Sequence, residues 1–317
     1  MLPPSSCCPR RGRSPPLFAS HRQPIPLRIG LIPVRAGPRK SRDLPGVRPD
    51  REMGIAMANG VPEGNPALRD KVVWVTGGGT GIGRAASEMF AQLGARVALL
   101  GRRMEPLERA VRLIEAAGGE AKAVQLDVAD RAQVQQAAQA LLAEWRRVDI
   151  LVNNAGLNVA KRRLHEISGA DWDRVVQVNL TGAFNMATAV LPAMRAQRDG
   201  LIINVASLAG KQVGVLSGTA YAASKHGMVA LSHSINLEEW RHNIRSTSFC
   251  PAEVNTEILD KRPIPVPEAD KARLMQPEDL AHAMRMLALM PARTCVTEII
   301  LAPTYKRTLQ PGESGAT

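Results

Sequence analysis

The chain holds only two tyrosines, Tyr221 and Tyr305. The first stands four residues ahead of a lysine in the run Tyr221-Ala222-Ala223-Ser224-Lys225. Residues four apart lie on one face of a helix, so a helix here lets the phenol and the ammonium share one site. Free tyrosine, with a pKa of ~10, is a poor base at neutral pH. A lysine cation close by favours the phenolate and lowers that value. The pair can then accept an alcohol proton during oxidation and return it during reduction. The spacing alone is a weak signal, and the scarcity of tyrosine gives it weight.

A second chemical constellation is the run Thr76-Gly77-Gly78-Gly79-Thr80-Gly81-Ile82-Gly83. It separates a short apolar, β-branched segment from a stretch with helical periodicity. Glycines at such a junction let the backbone turn tightly and approach a pyrophosphate at the positive end of the helix dipole. No register of these residues gives G-x-G-x-x-G; the spacing is T-G-x-x-x-G-x-G. The next strand ends Leu99-Leu100-Gly101-Arg102-Arg103. Sites that prefer NAD place an acid about 20 residues after the glycines to bind the ribose 2′-hydroxyl. Gly101 has no carboxylate to repel a 2′-phosphate, and Arg102, with Arg103 behind it, can pair with one. The expected cofactor is NADP(H), with NAD(H) as second choice.

These motifs, taken together, resemble the main branch of the short-chain dehydrogenase/reductase family. The resemblance covers about residues 70–304 and extends to further positions. Asp127-Val128 stands where the family lines the adenine. Asn153-Asn154-Ala155-Gly156 is similar to the family's N-N-A-G motif, which stabilises the sheet and borders the cofactor. Ser207, fourteen residues before Tyr221, matches the serine that hydrogen-bonds the substrate oxygen. Asn179 matches the helical asparagine that binds a water in the family's proton relay, and Lys225 the lysine that also holds the nicotinamide ribose. Pro251, Val254 and Thr256 match residues placed against the nicotinamide. The chain departs from the pattern at Ala252, where relatives usually carry glycine; the change is mild unless that residue needs a positive φ. The closing segment Thr297–Thr304 lacks the common D-G-G ending and is closer to relatives acting on 3-hydroxy acids such as serine. The resemblance therefore implies hydride transfer between NADP(H) and a small alcohol or carbonyl, with a hydroxy acid as one form of the substrate.

The elements that must position these residues alternate along the chain. Strands are expected at Lys71–Thr76, Arg96–Leu100, Ala121–Leu126, Asp149–Asn153, Leu201–Ala206, Ile244–Cys250 and Val296–Leu301. Between them helices are expected at Gly81–Leu93, Glu105–Ala117, Arg131–Trp145, Trp172–Arg195, Ala220–Trp240 and Glu278–Leu289. Strands that alternate with helices of ten or more residues imply crossovers and a parallel sheet covered on both faces. The fold class is α/β: a doubly wound, Rossmann-type parallel sheet in one domain. Glu257–Met275, with Pro263, Pro265 and Pro267, is expected to form a flap over the substrate.

Charge is unevenly spread. Of the formal +12, residues 1–52 contribute +8. This Pro- and Arg-rich leader has no apolar period and is expected to be disordered. It reads as a basic binding tail, a transit peptide, or sequence upstream of a start at Met53 or Met57, the last being favoured. A linker over 53–69 and a tail over 305–317 complete the division around the domain at 70–304. The body's charge is ordinary for an enzyme, so nucleic acid is not an expected partner of the domain. Nothing approaches the ~20 apolar residues of a membrane span. Cys7, Cys8, Cys250 and Cys295 have neither metal-ligand nor disulfide spacing, and the histidines form no ligand set, so no metal is expected and a cytoplasmic location is. A homodimer or homotetramer is the expected assembly. Two other functions stay open: an epimerase or dehydratase of the family's extended branch, and a catalytically silent NADP-binding scaffold on the same fold.

Overall fold

The computed structural model describes residues 67–260 and 262–306. The leader over 1–52, the linker up to residue 66 and the tail from 307 onward lie outside the described residues. The strands are β1 (Val72–Thr76), β2 (Arg96–Gly101), β3 (Glu120–Gln125), β4 (Ile150–Asn153), β5 (Gly200–Val205), β6 (Ile244–Pro251) and β7 (Glu298–Leu301). The helices are α1 (Gly81–Gln92), α2 (Met104–Ala116), α3 (Arg131–Trp145), α4 (Gly169–Val176), α5 (Gly182–Gln197), α6 (Thr219–Glu239), α7 (Glu268–Lys271) and α8 (Pro277–Leu289). The strands form one sheet in the order β3-β2-β1-β4-β5-β6-β7, every pairing parallel.

Each strand of such a sheet has two covered faces, which explains the unbroken apolar run of β1. Val73 and Val75 enter one core with residues of α1, α2 and α8. Val72 and Trp74 enter the opposite core with residues of α3, α5 and α6. The same alternation recurs in β2, where Val97 and Leu99 join the first core and Ala98 and Leu100 the second. At the N-terminal edge of the sheet, Asp149 accepts hydrogen bonds from Val72 N and Lys71 Nζ at 2.9 Å and from Arg147 Nε at 2.8 Å. Burial alone would raise the pKa of this carboxyl, but those donors outweigh it and hold the value below the usual range.

One expectation needs correction. The single helix expected over Trp172–Arg195 is interrupted by a π turn at Gln177–Thr181, between α4 and α5. Its cause is tertiary: fully buried Asn179 accepts from Leu157 N at 2.8 Å and donates to Leu157 O at 3.0 Å. Directly after it, Gly182 packs against Val128. Single π turns of this kind concentrate at functional sites. The segment expected to form the flap, Glu257–Met275, contains the short helix α7. Tyr305 Oη donates to Asp270 at 2.8 Å, and the Arg273 guanidinium stacks 3.6 Å above the Tyr305 ring, tying the flap to the segment after β7.

Candidate active site

The order of the sheet reverses between β1 and β4, and sheets of this kind bind their ligands at such a switch point, outside the carboxyl ends of the strands. The loop after β1 turns there into α1. Thr76, expected as a cofactor contact, is buried to 1 %. Its hydroxyl donates to Val152 O at 3.2 Å and accepts from Asn154 N at 2.9 Å and Ala155 N at 3.0 Å. That side chain therefore holds β1 to β4 from inside and is not presented to the switch point. Asn154 Nδ2 completes the clamp on Thr76 O at 3.0 Å and Gly77 O at 3.3 Å. Gly83 is required by this packing, since a Cβ there would lie 2.2 Å from Gly77 O. Across the first turn of α1, Thr80 makes no side-chain cap and no acid is present. The amides around Gly81 and Ile82 can thus receive an anion. Thr256 lies against the same turn, with its Cγ2 3.1 Å from the position of a Cβ on Gly81.

At the end of β2, Arg102 is half-exposed, with Nη1 3.9 Å from Asp127 Oδ2. Arg103 turns the other way, toward Glu257 Oε2 at 3.5 Å, and is well exposed. A Cβ on Gly101 would meet nothing closer than 3.6 Å, so packing does not demand glycine there. Asp127 Oδ1 accepts from Ala129 N at 2.9 Å and shapes the turn after β3. Val128 is buried, and its carbonyl accepts from Asn185 Nδ2 at 3.0 Å.

The second half of the site stands on β5, β6 and α6. Ser207 follows β5, accepts from Ala209 N at 3.1 Å, and is close enough to the Tyr221 phenol to act on its ionisation. Lys225, one helical turn beyond Tyr221, is 3 % exposed and donates to Val205 O at 2.7 Å. Its ammonium lies 5.6 Å from the centre of the Tyr221 ring. A Cβ on Gly156 would sit 3.4 Å from Asn179 Oδ1 and 3.6 Å from Lys225 Nζ, so the β4 loop, the π turn and α6 converge. Asn179 Nδ2 also donates to Ser224 Oγ at 3.1 Å. Below them, Asn153 Nδ2 donates to Asn204 Oδ1 at 2.9 Å, and Asn204 Nδ2 to Ser246 Oγ at 3.1 Å, stitching β4, β5 and β6. Pro251 and Val254 are buried at the end of β6, and Pro251 O lies 3.5 Å from Ser207 Oγ. Ala252 is outside the positive-φ region, so its alanine carries no backbone strain.

Charge in the site differs from the expectation that Lys225 lowers the tyrosine. Burial raises the Tyr221 pKa above its ordinary value; the Ser207 hydroxyl and the charges of Arg262 and Arg162 act against it. Burial also depresses Lys225, to about 8. The two arginines escaped the sequence reading. They belong to separate short basic runs, around 161–163 and 261–262, and nothing in the spacing says that they meet.

Comparison with known proteins agrees with this architecture. The sequence pattern of the family described as short chain dehydrogenase matches residues 71–264. A 3-oxoacyl-(acyl-carrier-protein) reductase of Thermotoga maritima is 34 % identical over 226 residues, covering 70 % of this chain and 91 % of its own. Levodione reductase of Leifsonia aquatica is 35 % identical over 193 residues, covering 60 % and 72 %. Among solved structures, a metagenomic short-chain oxidoreductase in complex with NADP superposes with a TM-score of 0.65 at 35 % identity, over 76 % of this chain and all of that one. An alcohol dehydrogenase of the archaeon Thermococcus sibiricus, complexed with 5-hydroxy-NADP, gives 0.67 at 27 % identity over 76 % and 99 %. With the parallel sheet, its switch point between β1 and β4 and this match across most of the described residues, the chain belongs to the short-chain dehydrogenase family.

Proposed function

We propose that this chain is an NADP(H)-dependent oxidoreductase that moves a hydride between the cofactor and a small alcohol or carbonyl. The observation that carries the reading is the burial of the Lys225 ammonium 5.6 Å from the centre of the Tyr221 ring, with Ser207 acting on the phenol and the first turn of α1 left without a side-chain cap or an acid. The residues present fit the cofactor. The amides of Gly81, Ile82 and Gly83 would hold its pyrophosphate, Arg102 its 2′-phosphate with Arg103 nearby, and Asp127 and Val128 would border the adenine. Lys225 takes the ribose hydroxyls in exchange for part of its bond to Val205 O, with Asn154, Ala155 and Gly156 lining the ribose side. Pro251, Val254 and Thr256 bound the nicotinamide end. When bound, NADP(H) supplies or accepts the hydride, and its oxidised ring adds positive charge beside Tyr221.

The chain's own groups handle the proton. Ser207 donates to the substrate oxygen and holds it against Tyr221. In oxidation the Tyr221 phenolate takes the hydroxyl proton as the carbinol C–H bond breaks; in reduction the phenol returns it to the carbonyl oxygen. Asn179, fixed by Leu157 and Ser224, positions the groups around Lys225. Tyr221→Phe keeps the ring and loses only the hydroxyl. It is expected to reduce turnover by about 10²–10⁴-fold or more while leaving NADP(H) binding close to wild type. Near-normal turnover in that variant overturns the assignment, and undiminished cofactor binding with no turnover of any alcohol or carbonyl by the wild type favours the silent-scaffold reading.

A further inference from the structure

The Lys225 ammonium rests against sulfur, a contact that the proton chemistry above leaves unused. Lys225 and Met228 stand three residues apart on α6 and share one face of the helix. Lys225 Nζ donates to Val205 O at 2.7 Å and to Met228 Sδ at 3.5 Å. Met228 is fully buried, in a small cluster with Ala183, Ala206, Val229 and Cys250. Gly227 lets this part of α6 approach the π turn, since a Cβ there would lie 2.7 Å from Leu180 Cδ2. The loop after β4 reaches the same ammonium, with a Cβ on Gly156 placed 3.6 Å from Nζ.

An ammonium has three donors. Among the described residues Val205 O and Met228 Sδ take two of them, which leaves one for a ribose hydroxyl. A hydrocarbon side chain at 228 would fill the same space without a lone pair, and a buried charge with fewer acceptors is more costly to keep. A carboxylate there would hold the ammonium too firmly for it to turn toward a ligand. The thioether lies between the two: a weak acceptor on an unbranched, polarisable chain. We propose that Met228 is a positioning residue for Lys225: its thioether accepts one ammonium proton, keeps the buried amine charged and leaves a donor for the cofactor ribose. The ribose contact rests on the oxidoreductase reading above; the contact with Met228 does not.

Burial holds Lys225 at about 8. The other titratable groups facing it are Tyr221 on α6 and Cys250 on β6, and burial pushes both of these up. The loop after β4 and the π turn bring Gly156 and Asn179, which do not titrate. Lys211 and Glu298, paired at 2.8 Å, act on Cys250 in turn, and Arg262 and Arg162 act on Tyr221. His226 sets its Nδ1 against Ala222 O at 2.9 Å. A hydrogen bond accepted from the ammonium favours the charged form, so losing the thioether lowers the Lys225 pKa further.

The test reads Lys225 directly. Its ¹³Cε resonance, identified by its absence in Lys225→Met, is followed by NMR from about pH 6 to 11 in the cofactor-free full chain. Met228→Leu conserves volume. Its midpoint is expected about 0.5–1 unit below that of wild type, the worth of one weak hydrogen bond. Met228→Gln restores an acceptor at similar length and is expected to return the midpoint to the wild-type value or above it. In calorimetric titration with NADP⁺ near pH 7.5, Met228→Leu is expected to bind about two- to ten-fold more weakly. An unchanged midpoint in Met228→Leu, or one lowered equally in both variants, overturns the proposal. Should Met228→Leu fail to fold, a Met228→Gln midpoint below wild type overturns it and one at or above wild type supports it. Wild-type affinity for NADP⁺ in Lys225→Met overturns the ribose contact of the underlying reading instead, and leaves the midpoints untouched.

Discussion

Lys225 illustrates how a single residue trades stability for chemistry. Burial takes its ammonium out of water and depresses its pKa from 10.5 to about 8. The unfolded chain therefore binds a proton that the folded one lacks between those values, so stability rises with pH through that window. At neutral pH the penalty is present in full. Lys225→Met removes it, at ~1.4 kcal/mol per pKa unit, and orphans Val205 O at a cost of about 1 kcal/mol. The cofactor-free variant is expected to melt a few degrees higher than wild type at pH 7 and to lose that advantage toward pH 10.5, while its affinity for NADP(H) falls; differential scanning calorimetry at the two pH values reads the first outcome. Arg102 tests a different contact. With Gly101 offering no acid, Arg102→Ala is expected to weaken NADPH by about 10- to 100-fold and NADH far less. Equal losses in fluorescence titrations of both would show that Arg102 does not see the 2′-phosphate.

Elements place these residues by contacts that no local pattern encodes. The start of α6 is set by Gly218, whose φ of +75° and contact with Arg162 exclude any side chain. Gly218→Ala is expected to cost about 1–3 kcal/mol in unfolding free energy. Because Thr219 and Tyr221 follow directly, turnover should fall more than cofactor affinity does. Denaturant unfolding and steady-state kinetics on one preparation separate the two effects. The Asn179 π turn is the other such element. The sequence marks a helix there, and the helix exists on either side, but the extra residue appears because Asn179 must meet Leu157 across the site. By contrast β1, β2 and α3 were legible almost to the residue. Their apolar periods are local properties, and α3 begins at Asp130, whose carboxylate caps Ala132 N and Gln133 N.

At the scale of the whole molecule, two extensive cores lie on either side of the sheet, with smaller clusters around Met228 and around Leu259. Among the described residues no helix is long and apolar enough to cross a membrane. We expect a protein beginning at Met53 to keep its melting temperature and its affinity for NADP(H), because the +8 leader has no apolar period with which to pack. A marked drop in either, measured side by side with the full chain, would make the leader part of the fold.

Sequence by itself determined the order of strands and helices, the parallel sheet, the glycine turn and the spacing of Tyr221 and Lys225. Each of these depends on short-range spacing or on the need to bury an apolar face, and both are written along the chain. Only the tertiary structure decided that Thr76 is an internal clamp, that burial raises the Tyr221 pKa, and that Arg162 and Arg262 are the cations acting on it. Burial and charge are sums over neighbours in space. Residues a hundred positions apart, as Arg162 and Arg262 are, become neighbours only once the sheet has brought the loop after β4 and the flap beyond β6 to the same end.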